Sequence, residues 1–202
     1  MIDHCGPERP PVDPDMKRVF SAIELSESVR DSVKTYAGNL AREFPEAPAR
    51  WSSVEKLHLT LRFFGNVEEP ALKVIIDAYK RIAAVSSPFR LVIEGTGVFP
   101  AVRRPKVLWL GVSGAETLGS FRSGVDEELA AAGFEQEKRE FRPHLTIARL
   151  KGGPGAGCLA GRHLSLEFEP VELSVSRIVV FESVMKPTGS EYSVIESAGL
   201  LR

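Results

Sequence analysis

The amino-acid sequence predicts a mixed strand-and-helix protein built as two related lobes that face a shared cleft. Runs in which apolar and polar residues alternate predict strands, and apolar residues at helical spacing predict helices. The order strand, helix, His-Leu-Thr strand occurs twice, and Leu25 precedes His58 by nearly as many positions as Val112 precedes His144. Solenoid repeats consist of many short units, so this repeat indicates one duplicated lobe instead. Two copies facing one another would bring both His-Leu-Thr strands to the cleft.

The first half of the chain is predicted to contain two strands and two helices. A buried run predicts a strand at 17–25, and a clean alternation predicts another at 57–64. Between them Ser26 is a typical N-cap, and the helix that it begins is ended by Pro45. A second helix is predicted at 68–85, because acidic residues and a proline stand in its first turn.

The second half is predicted to be richer in strands. One helix is predicted at 116–134, with Gly133 as its C-terminal stop. The glycine-rich segment 151–161 is predicted to be a flexible loop, and 186–191 a turn. The predicted strands lie at 89–99, 106–112, 141–150, 164–173, 177–185 and 192–197.

Composition is that of an ordinary globular chain. Its 202 residues are 43% hydrophobic and 26% charged, and the net charge of −1 argues against a protein that coats long nucleic acid electrostatically. Cys5 and Cys158 suggest neither a disulfide framework nor a zinc site. No run approaches the roughly 18 apolar residues of a membrane span. The N-terminal segment does not resemble a signal peptide, so we expect a cytoplasmic protein.

We expect residues 1–15 to form a disordered tail, because they are rich in proline and offer almost nothing to bury. Residues 16–202 are then expected to form a single bilobal domain. Nothing in the sequence demands a partner chain, so we expect a monomer.

The two His-Leu-Thr strands are predicted to present the same groups to the same face. Because side chains alternate along a strand, His58 and Thr60 lie together, about 7 Å apart, and so do His144 and Thr146. Ideal alternation assigns the remaining residues as follows: Arg62 and Phe64 join the His58 face, and Leu57, Leu59, Leu61, Phe63, Leu145 and Ile147 face the core.

Two imidazoles and two hydroxyls around one small volume suit displacement at a phosphodiester. A base activates the nucleophile on one side, and an acid protonates the leaving oxygen on the other. The pKa of histidine is about 6.5, so a neutral and a protonated imidazole can coexist near neutral pH. General acid and general base catalysis would each raise the rate on the order of 10²–10⁴-fold. Threonine hydroxyls can donate hydrogen bonds to the non-bridging oxygens. This chemistry requires neither a metal nor a cofactor, and we expect none.

Phe63 and Arg149 are candidate substrate contacts. Each stands five positions after a histidine of the repeat, and an aromatic ring and a guanidinium plane are suited to stack on an RNA base. An ideal pleat turns both away from the histidines. They reach the cleft only if the strand ends, twists or bulges.

The remaining basic and histidine residues have weaker functional indications. The basic clusters at 103–106 and 138–142 could steer phosphates, although such runs are more often a solvated face. His4 and His163, which lie outside the repeat, are predicted to be solvated surface residues.

Three other classes of function have less support in the sequence. GGPGAGC at 152–158 has the glycine content of a phosphate loop but lacks the Lys and the Ser or Thr that a P-loop requires, and Gly155, Gly157 and Ala160 fit a dinucleotide pattern only loosely. No HExxH motif or His-Cys cluster indicates a metal hydrolase. The remaining alternative is a non-catalytic RNA or nucleotide-binding module that uses the same cleft. Two proton-transfer groups argue against it, because binding alone does not need them.

The paired His-x-Thr-x motifs, HLTL at 58–61 and HLTI at 144–147, resemble the two-histidine phosphoesterase superfamily. Their flanks, LHLTLRFFG and FRPHLTIAR, are similar to those of the bacterial and archaeal RNA 2',3'-cyclic phosphodiesterases, also called 2'-5' RNA ligases. So are RVFSAIEL, GVFP with RRPKVLWLGV, and ESVMKPTGSEYSVI. The resemblance covers roughly residues 16–197.

This resemblance implies a bilobal α+β fold with an antiparallel sheet in each lobe, related by pseudo-two-fold symmetry around a central cleft, with helices outside. It implies hydrolysis of 2',3'-cyclic phosphate RNA ends to 2'-phosphates and, in some members, ATP-independent joining through a 2'-5' bond. By motif position, His58 would be the proton donor and His144 the proton acceptor, while Thr60 and Thr146 would hold the phosphate. tRNA fragments, mRNA fragments and small cyclic nucleotides offer the same reacting group, so the sequence does not choose among them.

Overall fold

The computed structural model describes residues 16–137, 140–187 and 189–201. The tail predicted at 1–15 lies outside these residues. The strands are β1 Met16–Glu24, β2 Ala49–Trp51, β3 His58–Glu68, β4 Phe89–Phe99, β5 Val107–Ser113, β6 His144–Leu150, β7 Val171–Val175, β8 Arg177–Lys186 and β9 Gly189–Gly199. The helices are α1 Glu27–Glu43, α2 Glu69–Ala84, α3 Glu116–Ala131 and α4 Pro154–Ser165.

The strands form two antiparallel sheets of matching order. The first sheet runs β3-β1-β8-β9, and the second runs β2-β6-β5-β4-β7. Since β3 and β6 carry the two His-Leu-Thr sequences, the first four strands correspond one by one to β6-β5-β4-β7, and β2 is an addition at the edge. The predicted bilobal α+β fold with internal pseudo-two-fold symmetry is confirmed.

The helices are exchanged between the two halves of the chain. Helix α2 packs on the first sheet, but α1, which follows a strand of that sheet, contacts β7 of the second sheet. Helix α4 packs on β4 of the second sheet, whereas α3, which follows a strand of that sheet, packs against α2. Each sheet is therefore covered by one helix from each half, and the hydrophobic core lies between each sheet and its helix pair.

Ring contacts and ion pairs hold each exchanged helix pair together. Tyr36 of α1 packs edge-on against His163 of α4 at 5.8 Å between ring centroids, and the ring of Tyr79 in α2 lies 6.2 Å from that of Phe121 in α3. An ion pair also joins the two helices of each pair: Glu43 of α1 with Arg162 of α4, and Arg81 of α2 with Glu128 of α3. The two halves thus depend on one another for their packing.

Helix α1 begins as the sequence predicts. The Ser26 side chain accepts a hydrogen bond from the backbone N–H of Val29, which satisfies one of the free donors at the helix start. Helices α2 and α3 and strands β1, β3, β4, β5, β6 and β8 also lie where they are predicted, with ends that shift by a few residues.

The loop predicted at 151–161 is wrong, because most of it is helix α4. Gly152 and Gly153 adopt φ values of 89° and 92° and turn the chain, and Pro154 follows at the start of the helix, where its missing N–H costs nothing. Ala156, Leu159 and Ala160 are buried at the spacing of a helix face. This burial outweighs the poor helix propensity of the glycines.

Two further differences concern strands. The strand predicted at 164–173 is largely wrong, because α4 extends to Ser165 and pairing in β7 starts only at Val171. Strand β2 is not predicted at all. It has three residues, too few to display an alternating pattern.

Candidate active site

The two His-Leu-Thr strands meet where the sheets join. β3 is the edge strand of the first sheet, β6 lies next to the edge of the second, and the two strands contact one another. The buried leucines Leu59 and Leu145 anchor them from the core side, each contributing about 1.5–3 kcal/mol through burial. His58, Thr60, His144 and Thr146 are half-buried on the opposite face.

Both histidines are held by the same kind of hydrogen bond. His58 Nδ1 lies 2.9 Å from the backbone oxygen of Lys56, and His144 Nδ1 lies 2.7 Å from that of Arg142. A carbonyl oxygen only accepts, so Nδ1 carries the proton in each case. The atom left to exchange protons with a substrate is Nε2 in both rings.

Aromatic rings surround His58. Its ring centroid lies 4.7 Å from that of Phe20 and 5.2 Å from that of Tyr192. Phe181, which stacks on Phe20, lies 6.3 Å from the His58 ring. Burial lowers the pKa of His58 below its usual range, and the hydrogen bond to the Lys56 carbonyl opposes this only in part. In the free protein this environment favours the neutral imidazole.

His144 has a different set of aromatic neighbours. Its ring centroid lies 5.0 Å from that of Phe99 and 6.3 Å from that of Trp109. The indole of Trp109 lies over Gly97 so closely that a Cβ on this glycine would come within 2.0 Å of the ring. Glycine is therefore required at position 97 for Trp109 to lie beside His144.

Each His-Leu-Thr strand contains a β-bulge just after the threonine. In β3, Thr60 pairs with Ala22 but Arg62 pairs with the adjacent Ser21, so Leu61 is the extra residue. In β6, Thr146 pairs with Trp109 but Ala148 pairs with Leu108, which makes Ile147 the extra residue. A bulge shifts the alternation by one, and the two strands shift in the same way.

The bulges correct the predicted assignment of faces. Arg62 and Phe64 lie on the core side of β3 and not with His58: Arg62 is only 8% exposed, and Phe64 packs edge-on against Tyr79. Phe63, predicted for the core, is 60% exposed and lies 5.5 Å from the Phe20 ring beside His58. Arg149 is exposed between buried neighbours. Both candidate contacts thus lie on the histidine faces.

Arg62 links β3 to the chain that precedes His144. Its guanidinium contacts Asp126 Oδ1 of α3 at 2.5 Å and donates to the backbone oxygen of Glu135 at 2.7 Å. Asp126 also pairs with Arg122, whose guanidinium lies over the ring of Phe141. The strand that carries His58 is therefore tied to the segment that leads into the second motif.

His163 is a buried residue, and the prediction that it is solvated is wrong. It is 0% exposed, and its Nε2 donates to the carbonyl oxygens of Gly97 and Trp109 at 3.2 and 3.1 Å. Its Nδ1 accepts from the Tyr36 hydroxyl at 2.9 Å. Burial lowers the pKa of His163 and raises the pKa of Tyr36 to about 12. His163 thus holds together the two strands that position Trp109. Because it follows a glycine-rich segment that was predicted to be a loop, the sequence did not indicate this role.

The remaining sequence candidates fall outside the histidine site or outside the described residues. Arg103, Arg104 and Lys106 are exposed in the loop that joins β4 and β5. His4 and part of the 138–142 cluster are not among the described residues, while Arg142 of that cluster pairs with Glu140. Gly155, Gly157 and Ala160 lie inside α4, so they do not form the turn that a dinucleotide site needs.

Metal-binding clusters and membrane-spanning helices are both absent from the described residues. No group of three or more His, Cys, Asp or Glu side chains in this part of the chain could hold a metal ion. None of its helices combines the length and apolar character needed to cross a membrane.

Several known proteins are similar to this chain in both sequence and fold. The sequence model of the 2'-5' RNA ligase superfamily matches residues 26–185. An RNA 2',3'-cyclic phosphodiesterase from Methanothermobacter thermautotrophicus is 35% identical over 182 residues, which cover 89% of this chain and 96% of that protein. This confirms the resemblance drawn from the two motifs.

Solved structures agree. A crystal structure from Thermus thermophilus superposes with a TM-score of 0.71 at 29% identity and covers 91% of this chain and 97% of its own. Escherichia coli LigT superposes with a TM-score of 0.73, covering 93% and 99% of the two chains. Its identity of 22% makes this a likeness of fold alone.

Proposed function

This chain belongs to the 2'-5' RNA ligase superfamily, and we propose that it opens RNA 2',3'-cyclic phosphate ends to 2'-phosphomonoesters by acid–base catalysis between His58 and His144. The relatives that it matches over most of its length are RNA 2',3'-cyclic phosphodiesterases. The observation that carries the proposal is the matched pair of histidines on contacting strands, each held at Nδ1 by a backbone carbonyl. Both rings are thereby left with Nε2 as the atom for proton transfer.

In the proposed mechanism His144 is the proton acceptor and His58 the proton donor. Water attacks phosphorus while His144 Nε2 takes its proton. The bond to the 3' oxygen breaks, and His58 Nε2 gives that oxygen a proton, which leaves a 2'-phosphate. Thr60 and Thr146 donate hydrogen bonds to the non-bridging oxygens, where charge is concentrated in the transition state. The assignment of acid and base follows the family, because the hydrogen bonds of the two rings are alike.

The environment of His58 adds a condition to this mechanism. A proton donor must be charged when the substrate is bound, yet burial lowers the pKa of His58 in the free protein. The negative charge of a bound phosphate raises the pKa of a neighbouring imidazole. The substrate therefore promotes the protonation of its own acid catalyst.

Phe63 and Arg149 are proposed to hold the terminal base. Both are exposed at equivalent positions after the two bulges. A base placed between an aromatic ring and a guanidinium plane gains stacking from each. Mutation of either residue should then raise KM more than it lowers kcat.

The same site is also proposed to join RNA ends without ATP. A 5'-hydroxyl in the place of water would form a bond to phosphorus as the bond to the 3' oxygen breaks. The product is a 2'-5' linkage, and the cyclic ester supplies the free energy. Joining and hydrolysis would thus share both histidines.

The proposal is tested with a short RNA that ends in a 2',3'-cyclic phosphate, incubated in EDTA without ATP. We expect a 2'-phosphate end, and we expect His58→Ala and His144→Ala each to lose about 10³-fold or more, because acid and base act as a unit. His4→Ala is the matched control and should keep full activity. A 3'-phosphate product would contradict the assigned leaving group.

The alternative function is a binding module that does not turn the phosphate over. An RNA that binds but stays unchanged with the wild-type protein would favour it. Binding retained in His58→Ala, together with turnover abolished, would instead support the enzyme.

A further inference from the structure

A row of side chains crosses the second sheet at one end of the cleft. Strand register places Arg50 of β2 opposite Arg149 of β6, Arg149 opposite Val107 of β5, and Val107 opposite Phe99 of β4. Residues that are opposite one another in a sheet share a face. Because of the bulge at Ile147 this is the face of His144, so the row continues the candidate active site.

Two arginines lie directly opposite one another in this row. Like charges in such a pair destabilise a sheet, and both Arg50 and Arg149 are exposed. Neither forms an ion pair with a carboxylate within the described ranges. A bound anion between or beside them would remove the repulsion.

The same end of the sheet gathers more positive charge. Segments 48–51, 99–107 and 148–151 contain no carboxylate, and the nearest along the chain is Glu46. The whole chain carries a net charge of −1, so the cluster is a local feature. Its members are exposed and, within the part of the chain that the structure describes, without a salt bridge: Arg50, Arg103, Arg104, Lys106, Arg149 and Lys151.

This cluster lies too far along the strand to touch the reacting phosphate. Arg149 follows His144 by five residues, one of them in a bulge, which is roughly 13 Å at the usual rise of a strand. Arg50 also reaches the first sheet, because a Cβ on Gly189 of β9 would come within 2.9 Å of its Nη2. In the proposed function the terminal base already lies at Arg149, so a ligand that also reaches Arg50, Arg103 or Arg104 must extend beyond one nucleotide.

We propose that Arg50, Arg103 and Arg104 bind internal phosphates of the RNA on the 5' side of its cyclic end. This inference rests on the proposed function and adds a substrate preference to it: the chain selects oligonucleotides over cyclic mononucleotides. Guanidinium groups suit phosphate oxygens because their paired N–H donors match them geometrically. The base contacts of Arg149 and Phe63 then lie between the reacting phosphate and these internal ones.

The test compares 2',3'-cyclic UMP with oligouridylates of increasing length that end in a 2',3'-cyclic phosphate. We expect kcat/KM of the wild type to rise about tenfold or more with the first internal phosphates and to fall steeply with salt. The triple variant Arg50→Gln, Arg103→Gln, Arg104→Gln should lose this gain. Its salt slope should become shallower by about 0.7 for each phosphate that is no longer bound. Turnover of cyclic UMP, measured in each variant, reports whether the site is intact.

A control removes the same charge elsewhere. Lys34, Arg42 and Lys73 are exposed on the outer helices α1 and α2, and their joint change to Gln should leave the length dependence as in the wild type. A wild type that turns over cyclic UMP as well as the oligomers overturns this inference and leaves the proposed function standing. An equal loss of the length dependence in the Lys34, Arg42 and Lys73 variant would have the same meaning. A wild type inactive on every substrate overturns the proposed function itself.

Discussion

At the scale of single residues, Gly97 decides whether Trp109 can lie beside His144. A Cβ at this position would come within 2.0 Å of the indole, so Gly97→Ala must displace the ring or the strand. We expect a loss of about 1–3 kcal/mol in the free energy of unfolding, as for other overpacked sites, and a lower kcat because His144 loses its packing. Chemical denaturation and steady-state kinetics measure the two effects.

Gly119→Ala is the control for this change. Gly119 lies within α3, and a Cβ there meets nothing within 4 Å. Alanine should stabilise this helix by about 0.5–1 kcal/mol and leave kcat as it is. Equal effects of the two substitutions would contradict the role given to the indole contact.

His58 and His163 make stability depend on pH. Burial lowers the pKa of both His58 and His163, so the unfolded chain takes up protons first as pH falls. The free energy of unfolding should therefore be highest above about pH 6.5, the ordinary value, and decline as pH falls toward the lowered pKa values. In His163→Gln part of this decline should disappear. Urea unfolding between pH 8 and pH 5 would show it, and an equal decline in both proteins would count against it.

At the scale of elements, the ion pair between β3 and α3 should be worth more than a surface pair. The Arg62 side chain is 7% exposed and Asp126 25%, so removing one partner leaves the other poorly solvated. Arg62→Met should lower the free energy of unfolding by about 3 kcal/mol. In the exposed pair of Lys17 with Glu69, Lys17→Met should cost less than about 1 kcal/mol. Similar losses of unfolding free energy in Arg62→Met and Lys17→Met would show that Arg62 is not critical to the contact between β3 and α3.

The sequence predicts some elements well because their pattern is local. Alternation in 57–64 and 141–150 locates both motif strands, and Ser26 marks the start of α1. The bulges at Leu61 and Ile147 are different, because an extra residue exists only relative to a partner strand. Ideal alternation therefore placed Arg62 and Phe63 on the wrong faces of β3.

Other features of the site depend on distant contacts. Helix α4 is stabilised by burial of Leu159 and His163 against a sheet built from other parts of the chain, and its glycines alone suggested a loop. The rings around His58 come from three strands, β1, β8 and β9. The histidines and threonines could be proposed in advance because a short motif contains them, whereas the orientation of Phe63 and Arg149 depends on the bulges.

At the scale of the whole molecule, the exchanged helices predict one cooperative unit. Because α1 packs on the second sheet and α3 against the helix of the first, neither lobe can unfold without exposing the core of the other. We expect a single unfolding transition, with far-ultraviolet circular dichroism coinciding with fluorescence from Trp51 and Trp109. Two separated transitions would contradict it. The fragments 16–88 and 89–202 should each fail to fold alone.

The helix exchange also bears on how two equivalent histidines can come to have different roles. Each lobe is covered in part by a helix that follows a strand of the other lobe, so two equal lobes on separate chains would make a symmetric pair with two interchangeable histidines. Within one chain each half can change alone: Phe20 in the first stands where Val107 stands in the second, and Arg62 where Ala148 stands. Covalent union of the halves would permit the proposed division of labour, in which one imidazole gives a proton and its twin takes one.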